Sequence, residues 1–275
     1  MGLTGIVKGV QRKPRRVLLY GTHGIGKSTW AAQAPKPIFL ATEDGLDNLD
    51  CERTPPIKSF GNFNEWCSKL LQDEHDYRTV VIDSLDWLER LIHDFVALSQ
   101  GKKSIDDIPY GKGYAMAVAQ WDFVLKTLDH LRNSRGMAVI ALAHARIVKV
   151  SEPESDSYDR YEPDLHKAAS PMLQEWADEV LFARYRVLTK KEDLGFNRTR
   201  TIALDTEERI VWTCERPTHL AKRRAKMPDT LPLDFGIYAQ YLRGNGAETQ
   251  SAGDIAGIVN NGSSKQPQQE TVTNG

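Results

Sequence analysis

Gly21-Thr22-His23-Gly24-Ile25-Gly26-Lys27-Ser28 is the stretch that decides the fold of this chain. It matches the pattern G-x-x-x-x-G-K-[ST], a loop whose backbone wraps around phosphate groups. The apolar run 17–20 precedes it, and residues 29–34 follow with a composition that can begin a helix. Because the pattern is meaningful only between a strand and a helix, these flanks favour a phosphate-binding loop over a chance glycine-rich turn with a lysine.

The chemistry expected of this loop follows from its backbone and two side chains. Glycines allow a close approach to phosphates, and the N–H groups of such a loop point inward. Lys27 is expected to reach the β- and γ-phosphates of ATP, and Ser28 to bind Mg²⁺. The predicted nucleotide-binding residues are Gly21, Thr22, His23, Gly24, Ile25, Gly26, Lys27, Ser28 and Thr29.

A second signal is the run Thr79-Val80-Val81-Ile82-Asp83, which reads as a buried strand that ends in a carboxylate. Following a phosphate-binding loop at this distance, it has the form of a Walker B strand, and Asp83 is predicted to hold Mg²⁺ beside Ser28. The next residue is Ser84 and not glutamate. The sequence therefore places any catalytic base elsewhere in the chain.

Short apolar strands alternate with amphipathic helices, which predicts an α/β fold with a mostly parallel sheet and helices on both faces. Ligands of such sheets bind at the carboxyl ends of the strands. A polar turn at 205–208 predicts a C-terminal β-hairpin between strands 200–205 and 209–214. The predicted strands that form the sheet are 17–20, 38–41, 79–83, 138–143 and 179–183, and the predicted helices are 62–74, 85–98 and 114–133.

Composition limits the classes of protein to which the chain can belong. The formal net charge is −1, so any binding of nucleic acid must come from local basic patches. No apolar run approaches the length of a membrane span, and no secretory signal is evident, so a cytoplasmic location is expected, in the host if a phage encodes the chain. The expected organisation is a basic lead-in at 1–15, an ATPase core at 16–243 and a flexible polar tail at 244–275.

The order of these signals resembles the RecA-fold P-loop ATPases, the core that recombinases and DnaB-type ring helicases share. In that family a glutamate after the second strand activates the attacking water, and here Glu43 takes that position. The fourth strand ends in a polar residue that senses the γ-phosphate, which implies this role for His144. A neutral imidazole there can donate to the phosphate. The mobile DNA-binding loop of the family corresponds to residues 145–169.

The resemblance is narrower still to AAA-type ATP-binding proteins of phages, which are little more than a RecA core and act in single-strand annealing or recombination. Tyr110-Gly111-Lys112-Gly113-Tyr114 and the segment 221–228 are typical of that group, and the likeness covers about 15–235. Related ATPases insert basic residues from this segment into the active site of a neighbouring subunit. Lys222 and Arg224 are the favoured residues and Arg223 the competitor, although a solvated basic surface is the common meaning of such a run.

The resemblance implies an oligomeric, Mg²⁺-dependent ATPase that acts on single-stranded DNA. Its partners would be single-stranded DNA, further copies of the chain in a ring or filament, and a single-strand-binding protein at the tail. The loops at 99–113 and 145–169 are the candidate DNA contacts, because lysines bind phosphates and tyrosines stack on bases. Two alternatives remain open: a subunit of a ring helicase or translocase, and a nucleotide-dependent switch or scaffold with little turnover.

Overall fold

A computed structural model describes residues 5–9, 13–153, 156–193 and 199–242, with the backbone alone described for 188–193 and 199–206. The predicted tail at 244–275 lies outside these residues. The strands are β1 (Arg16–Gly21), β2 (Pro37–Ala41), β3 (Glu52–Arg53), β4 (Thr79–Asp83), β5 (Ala138–Val150), β6 (Tyr158–Pro163), β7 (Glu179–Asp193), β8 (Thr199–Trp212) and β9 (Thr230–Pro232). The α-helices are α1 (Lys27–Ala32), α2 (Phe60–Gln72), α3 (Leu85–Ser99), α4 (Lys112–Ser134), α5 (Ser170–Trp176) and α6 (Phe235–Leu242).

Within the described residues, the strands form one sheet in the order β3-β2-β4-β5-β1-β7-β8-β9, with β6 paired to β5. The six strands from β3 to β7 run parallel, and β8 and β9 are antiparallel to their neighbours. This confirms the predicted α/β fold with a mostly parallel sheet. The register brings the strand ends together, because Ala41 pairs with Asp83 and Gly21 pairs with His144.

Helices cover both faces of the sheet, as the unbroken apolar strands require. On one face α2, α3 and α4 pack over side chains such as Leu18, Leu40 and Ile82. On the other face α1 and α6 pack over Leu19, Phe39 and their neighbours, with Trp30 of α1 almost fully buried. Each large apolar side chain buried in this way contributes roughly 2–3 kcal/mol, so the sheet is a rigid support for the loops at its edge.

The segment 145–169 differs from the expected mobile loop. Strand β5 continues past His144 to Val150, and β6 returns beside it as the second arm of an antiparallel hairpin. The outer half of β5 is only partly buried, since Ile147 is 59% exposed. Tyr161 of the hairpin packs against the core and stacks on Phe182, but charged residues on both strands interrupt any clear alternation of apolar and polar residues.

The predicted turn at 205–208 is wrong, although a β-hairpin is present. It is formed by β7 and β8, which pair over most of their length, from Phe182–Trp212 to Asp193–Thr199, and the residues between them, 194–198, lie outside the described part of the chain. Residues 205–208 belong to β8, where the register shifts between the pairs Tyr185–Arg209 and Val187–Asp205. The polar cluster that predicted a turn therefore lies at a β-bulge, which interrupts the pairing in a similar way.

No helix in the described part of the chain is both long enough and apolar enough to cross a membrane.

Candidate active site

The phosphate-binding loop connects β1 to α1, as its flanking residues predict. Gly26 adopts a φ of 102° immediately before the helix, a conformation that residues with a side chain rarely adopt. Gly21 is needed for a different reason, because a Cβ atom there would lie 2.3 Å from the carbonyl oxygen of Ala183 on β7. The loop therefore depends on glycine for its backbone conformation at one end and for close packing at the other.

Lys27 lies at the first position of α1 and is buried beneath the loop, where it is 7% exposed. Its Nζ donates to the carbonyl oxygens of Gly21 at 3.2 Å and Thr22 at 3.0 Å. Burial lowers the pKa of the Lys27 ammonium, while the nearby carboxylates, Asp83 first among them, act in the opposite direction. The ammonium is thus held inside the loop, where a phosphate group would offer it a stronger acceptor.

Ser28 and Asp83, the two predicted Mg²⁺ ligands, are in direct contact. The Ser28 hydroxyl donates to the Asp83 carboxylate at 2.6 Å. Burial raises the pKa of Asp83, and the hydrogen bond from Ser28 partly opposes that change. Two neighbouring oxygen ligands in a partly buried position suit a small hard cation such as Mg²⁺.

Glu43 lies across from this pair at the end of β2. The backbone N–H groups of Thr42 and Glu43 both donate to the carbonyl oxygen of Asp83, at 2.9 and 3.0 Å. The hydroxyl of Ser84 donates to the Glu43 carboxylate at 3.0 Å. These contacts fix Glu43 to the end of the Walker B strand, so the predicted base and the predicted metal ligand face the same space.

His144 lies in β5 beside Gly21 and is 7% exposed. Its Nδ1 is 2.9 Å from a carboxylate oxygen of Asp86, and its Nε2 is 4.0 Å from a carboxylate oxygen of Glu43. The ring also stacks on His23 of the phosphate-binding loop, with ring centres 3.7 Å apart. His144 is therefore in contact with both the loop and the predicted base.

A cavity of about 320 Å³ opens among these groups at the carboxyl ends of the strands. Of the predicted residues, it is lined by His23, Gly24, Gly26, Lys27, Ser28, Thr29, Glu43, Asp83 and His144. Gly21, Thr22 and Ile25 belong to the same loop but do not line the cavity; Ile25 is fully buried. The structure thus brings the predicted nucleotide, metal and base residues to one site.

The basic segment lies elsewhere. Lys222 exchanges backbone hydrogen bonds with Val180 at the start of β7, and its Nζ donates to the carbonyl oxygens of Gln174 and Glu175. Arg224 forms an ion pair with Asp178 at 3.1 Å, and Arg223 binds Thr213 and Asp229. Because β7 runs parallel to β1, this is the amino end of the sheet, opposite the cavity. Within one chain these residues do not reach the nucleotide site.

Three residues near the site are absent from the sequence-based prediction. Ser84 holds Glu43, Asp86 holds His144, and Arg209 of β8 reaches the loop with its Nη1 3.5 Å from the carbonyl oxygen of Ile25. Asp86 follows Asp83 by three residues, but an acidic residue in the first turn of a helix is common and carries no signal of its own. Arg209 is 184 residues from Ile25, so only the fold reveals the contact.

The comparisons with known proteins agree with this site at the level of a family. A family model described as an AAA domain matches residues 13–225. The chain is also 24% identical, over 240 residues, to the SPbeta prophage-derived uncharacterized protein YorG of Bacillus subtilis (strain 168). That alignment covers 84% of this chain but 65% of the relative, so the chain spans slightly less than two thirds of the protein it matches.

Proposed function

The chain belongs to the AAA domain family of P-loop proteins, and we propose that it is a Mg²⁺-dependent ATPase that acts on single-stranded DNA as a homo-oligomer in phage-type recombination or strand annealing. One observation carries the ATPase part. Lys27, the Ser28–Asp83 pair and Glu43 face one cavity at the carboxyl end of a parallel sheet. In open α/β sheets this is the place where ligands bind.

Each of these residues has a distinct task in the proposed reaction. The loop N–H groups and the Lys27 ammonium bind and orient the phosphates, which is the main contribution of a protein to phosphoryl transfer. Ser28 and Asp83 would hold Mg²⁺, which neutralises charge on the phosphates when bound. Glu43 orients the attacking water and accepts its proton, a role that suits a carboxylate anchored by Ser84 and partly open to the cavity.

The oligomer enters the proposal through Lys222 and Arg224. Both are engaged within their own chain, but the Arg224 side chain is 55% exposed and its ion pair with Asp178 can be exchanged for another anion. An arginine supplied by a neighbouring subunit typically accelerates phosphoryl transfer by about 10³- to 10⁵-fold. We propose that Arg224, supported by Lys222, acts in this way on the phosphates of an adjacent copy.

The DNA part of the proposal is supported by two exposed segments on the α3–α4 side. Tyr110 is 96% exposed, in a loop that also carries Lys102 and Lys103 and that ends where Lys112 begins α4. Tyr114, at the start of α4, stacks on His166, which follows the β5–β6 hairpin, with ring centres 4.0 Å apart. The loop and the hairpin are therefore neighbours, and a single strand that stacks on Tyr110 would pass close to both.

ATP hydrolysis with and without single-stranded DNA tests this proposal most directly. The variants are Lys222→Ala combined with Arg224→Ala, and separately Glu43→Ala. Each is expected to lose DNA-stimulated turnover, and mixing the two should restore part of it, because a mixed interface can pair an intact Glu43 with an intact Arg224. Restoration would establish shared active sites, and its absence at every mixing ratio would refute the role in trans.

Two other outcomes distinguish the alternative functions. Tight ATP binding without DNA-stimulated turnover at any protein concentration would favour a nucleotide-dependent switch or scaffold. Unwinding of a tailed duplex would favour a helicase or translocase subunit.

A Tyr110→Ala variant tests the proposed DNA contact, and Tyr185→Ala, at a tyrosine that is about half exposed, is its matched control. Loss of one stacked base should weaken binding by about 5- to 150-fold.

A further inference from the structure

Asp86 and His144 form a buried pair whose geometry determines which ring nitrogen carries the proton. One carboxylate oxygen of Asp86 accepts the backbone N–H of His144 at 3.1 Å, and the other lies 2.9 Å from Nδ1 of the ring. The two residues are 6% and 7% exposed, so water does not compete for these contacts. The carboxylate therefore binds His144 at two points, one on the strand and one on the side chain.

The hydrogen bond to Nδ1 has a definite direction if Asp86 is ionised. Burial by itself raises the pKa of Asp86, but the hydrogen bonds from His144 and Ser84 outweigh it and the net pKa is lowered. An ionised carboxylate only accepts hydrogen bonds. Nδ1 must then be the donor, and because neutral imidazole carries a single N–H, Nε2 holds a lone pair.

The position of Nε2 gives this tautomer a consequence for the reaction. Nε2 points toward Glu43, with 4.0 Å between it and the nearer carboxylate oxygen. The His144 side chain is 9% exposed and is confined by its stack on His23, whereas the Glu43 side chain is 26% exposed and has room to approach. A neutral His144 in this tautomer presents an acceptor, not a donor, to the base across the cavity.

We propose that Asp86 is a positioning residue that holds the proton of His144 on Nδ1 and so presents Nε2 as the acceptor for the proton that Glu43 takes from the attacking water. The water oxygen bonds to the γ-phosphorus while the bond from that phosphorus to the bridging oxygen breaks, and ADP leaves with the electron pair. The water releases one proton to the Glu43 carboxylate, and that proton passes to Nε2. The resulting imidazolium donates through Nδ1 to Asp86 and through Nε2 to an anionic oxygen in the site. The catalytic half of this inference rests on the proposed ATPase function, whereas the tautomer does not.

Nitrogen NMR of the nucleotide-free protein, with ¹⁵N-labelled histidine, tests the tautomer without any reaction. The chain has seven histidines, and the His144 signals are assigned as those lost in His144→Gln. In the wild type we expect the N–H on Nδ1. In Asp86→Asn the amide oxygen can still accept the backbone N–H while the amide NH₂ donates to Nδ1, so the N–H should move to Nε2. A wild-type proton on Nε2, or the same tautomer in both proteins, would overturn the inference.

A double-mutant cycle on ATP hydrolysis tests the catalytic half. Asp86→Asn should lower kcat by roughly 10- to 100-fold with little change in KM for ATP, because a general acid–base group contributes about 10²–10⁴-fold and only its orientation is disturbed. In the His144→Gln background the same substitution should cost nothing further, since Asp86 acts through His144. Additive losses would show that Asp86 is structural and would refute its positioning role.

Glu89→Gln is the matched control for both experiments. Glu89 lies one turn further along α3, is 8% exposed, and accepts the backbone N–H of His166 at 2.8 Å, but it does not contact His144. We expect the His144 tautomer to stay on Nδ1 in this variant. If the tautomer is as expected in every protein while no ATP is hydrolysed, the proposed ATPase function fails, and with it the proton path, but the role of Asp86 in fixing His144 stands.

Discussion

The two ends of the parallel sheet carry charged residues in opposite arrangements. At the carboxyl end, Asp83, Glu43 and Lys27 line a cavity of about 320 Å³, and each is held by hydrogen bonds to hydroxyl or backbone carbonyl groups. At the amino end, a larger cavity of about 470 Å³ has arginines among its lining residues. There a single carboxylate, that of Asp178, forms ion pairs with Arg16, Arg132 and Arg224.

The charged groups at the carboxyl end are therefore available to a ligand, whereas Asp178 and its arginines at the amino end are paired with one another. Around Asp178 both carboxylate oxygens accept from guanidinium groups, so the charge of Asp178 is already paired within the chain. At the carboxyl end the Lys27 ammonium donates hydrogen bonds to two neutral backbone carbonyl groups, those of Gly21 and Thr22. We therefore expect substitutions at the carboxyl end to cost activity, and those at the amino end to cost stability.

Lys27→Ala, at the carboxyl end of the sheet, should produce the largest effect of all, a loss of ATP hydrolysis. Removal of one charged donor from a phosphoryl-transfer site is expected to reduce kcat/KM for ATP on the order of 1,000-fold. The melting temperature without nucleotide should change little, since the hydrogen bonds of the lysine go to carbonyl groups of its own loop. Lys36→Ala, at an exposed lysine paired with Asp76, is the control. Turnover at the wild-type rate in Lys27→Ala would remove the assignment of this site.

Asp178→Ala should have the next largest effect, on stability. Removing the shared partner leaves three arginines facing one another, and loss of one member of a buried ion pair typically costs about 3–5 kcal/mol. Since Arg224 is half exposed and can turn to solvent, about 3 kcal/mol is expected here. Urea unfolding measures the change, and nucleotide affinity at a temperature where the variant is folded should match the wild type. A fall in affinity comparable to that of Lys27→Ala would contradict the separation of the two ends.

Glu179→Gln, also at the amino end, should change stability in a way that depends on pH. Burial raises the pKa of Glu179 to about 6, although Arg15 lies 3.5 Å away. Its contribution to stability is therefore present below about pH 4.5 and lost as the pH rises through about 6. Glutamine stays neutral, so the variant should gain about 2 kcal/mol relative to the wild type between pH 4.5 and 7.5.

Asp178→Asn provides the opposite pH dependence at the adjacent residue. Burial alone would raise the pKa of Asp178, but its hydrogen bonds with Arg16 lower it. The wild type should thus be more stable than this variant at neutral pH, and the difference in the free energy of unfolding should disappear as the pH falls through the lowered pKa of Asp178. Unfolding curves at a series of pH values measure the stability of both variants relative to the wild type. If this difference in stability changes with pH in the same direction for both variants, the opposite pKa shifts of Glu179 and Asp178 are refuted.

Arg224→Ala should have the smallest effect on stability. An ion pair with one half-exposed partner contributes about 1 kcal/mol or less, and Asp178 keeps Arg16 and Arg132. A melting temperature close to that of the wild type is therefore expected. A loss approaching that of Asp178→Ala would mean that Arg224 is a structural residue, which would argue against its proposed action on a neighbouring subunit.

The parts of the molecule that sequence reasoning predicts are those in which neighbouring residues carry the signal. The loop at 21–28 and the strand that ends at Asp83 can each be recognised from eight or fewer consecutive residues, and their order along the chain predicts the fold. The contacts that complete the site are not local. Asp86 meets His144 across 58 residues, and Arg209 reaches the loop from the far part of the sheet.

The errors in the prediction have the same origin. The hairpin that follows His144 pairs two strands in which charged residues interrupt the alternation by which strands are recognised. Residues 205–208 have the composition of a turn, but their backbone is held in β8 by pairing with β7 on either side of a bulge. In both places long-range pairing outweighs local preference.

Strand β5 has a mechanical consequence that follows from its length. Its inner half pairs with β4 and β1, whereas from Ala145 to Val150 the strand that pairs with it, among the described residues, is β6 alone. Six residues of extended chain project about 20 Å. The hairpin is also held at Tyr161, whose backbone exchanges hydrogen bonds with Thr218 and Leu220. A tilt of about 10° beyond this point would move the last three residues of β5, about 10 Å long, by roughly 2 Å. A tilt of this size would change the contacts of the hairpin tip while the buried inner half of β5 stays in place.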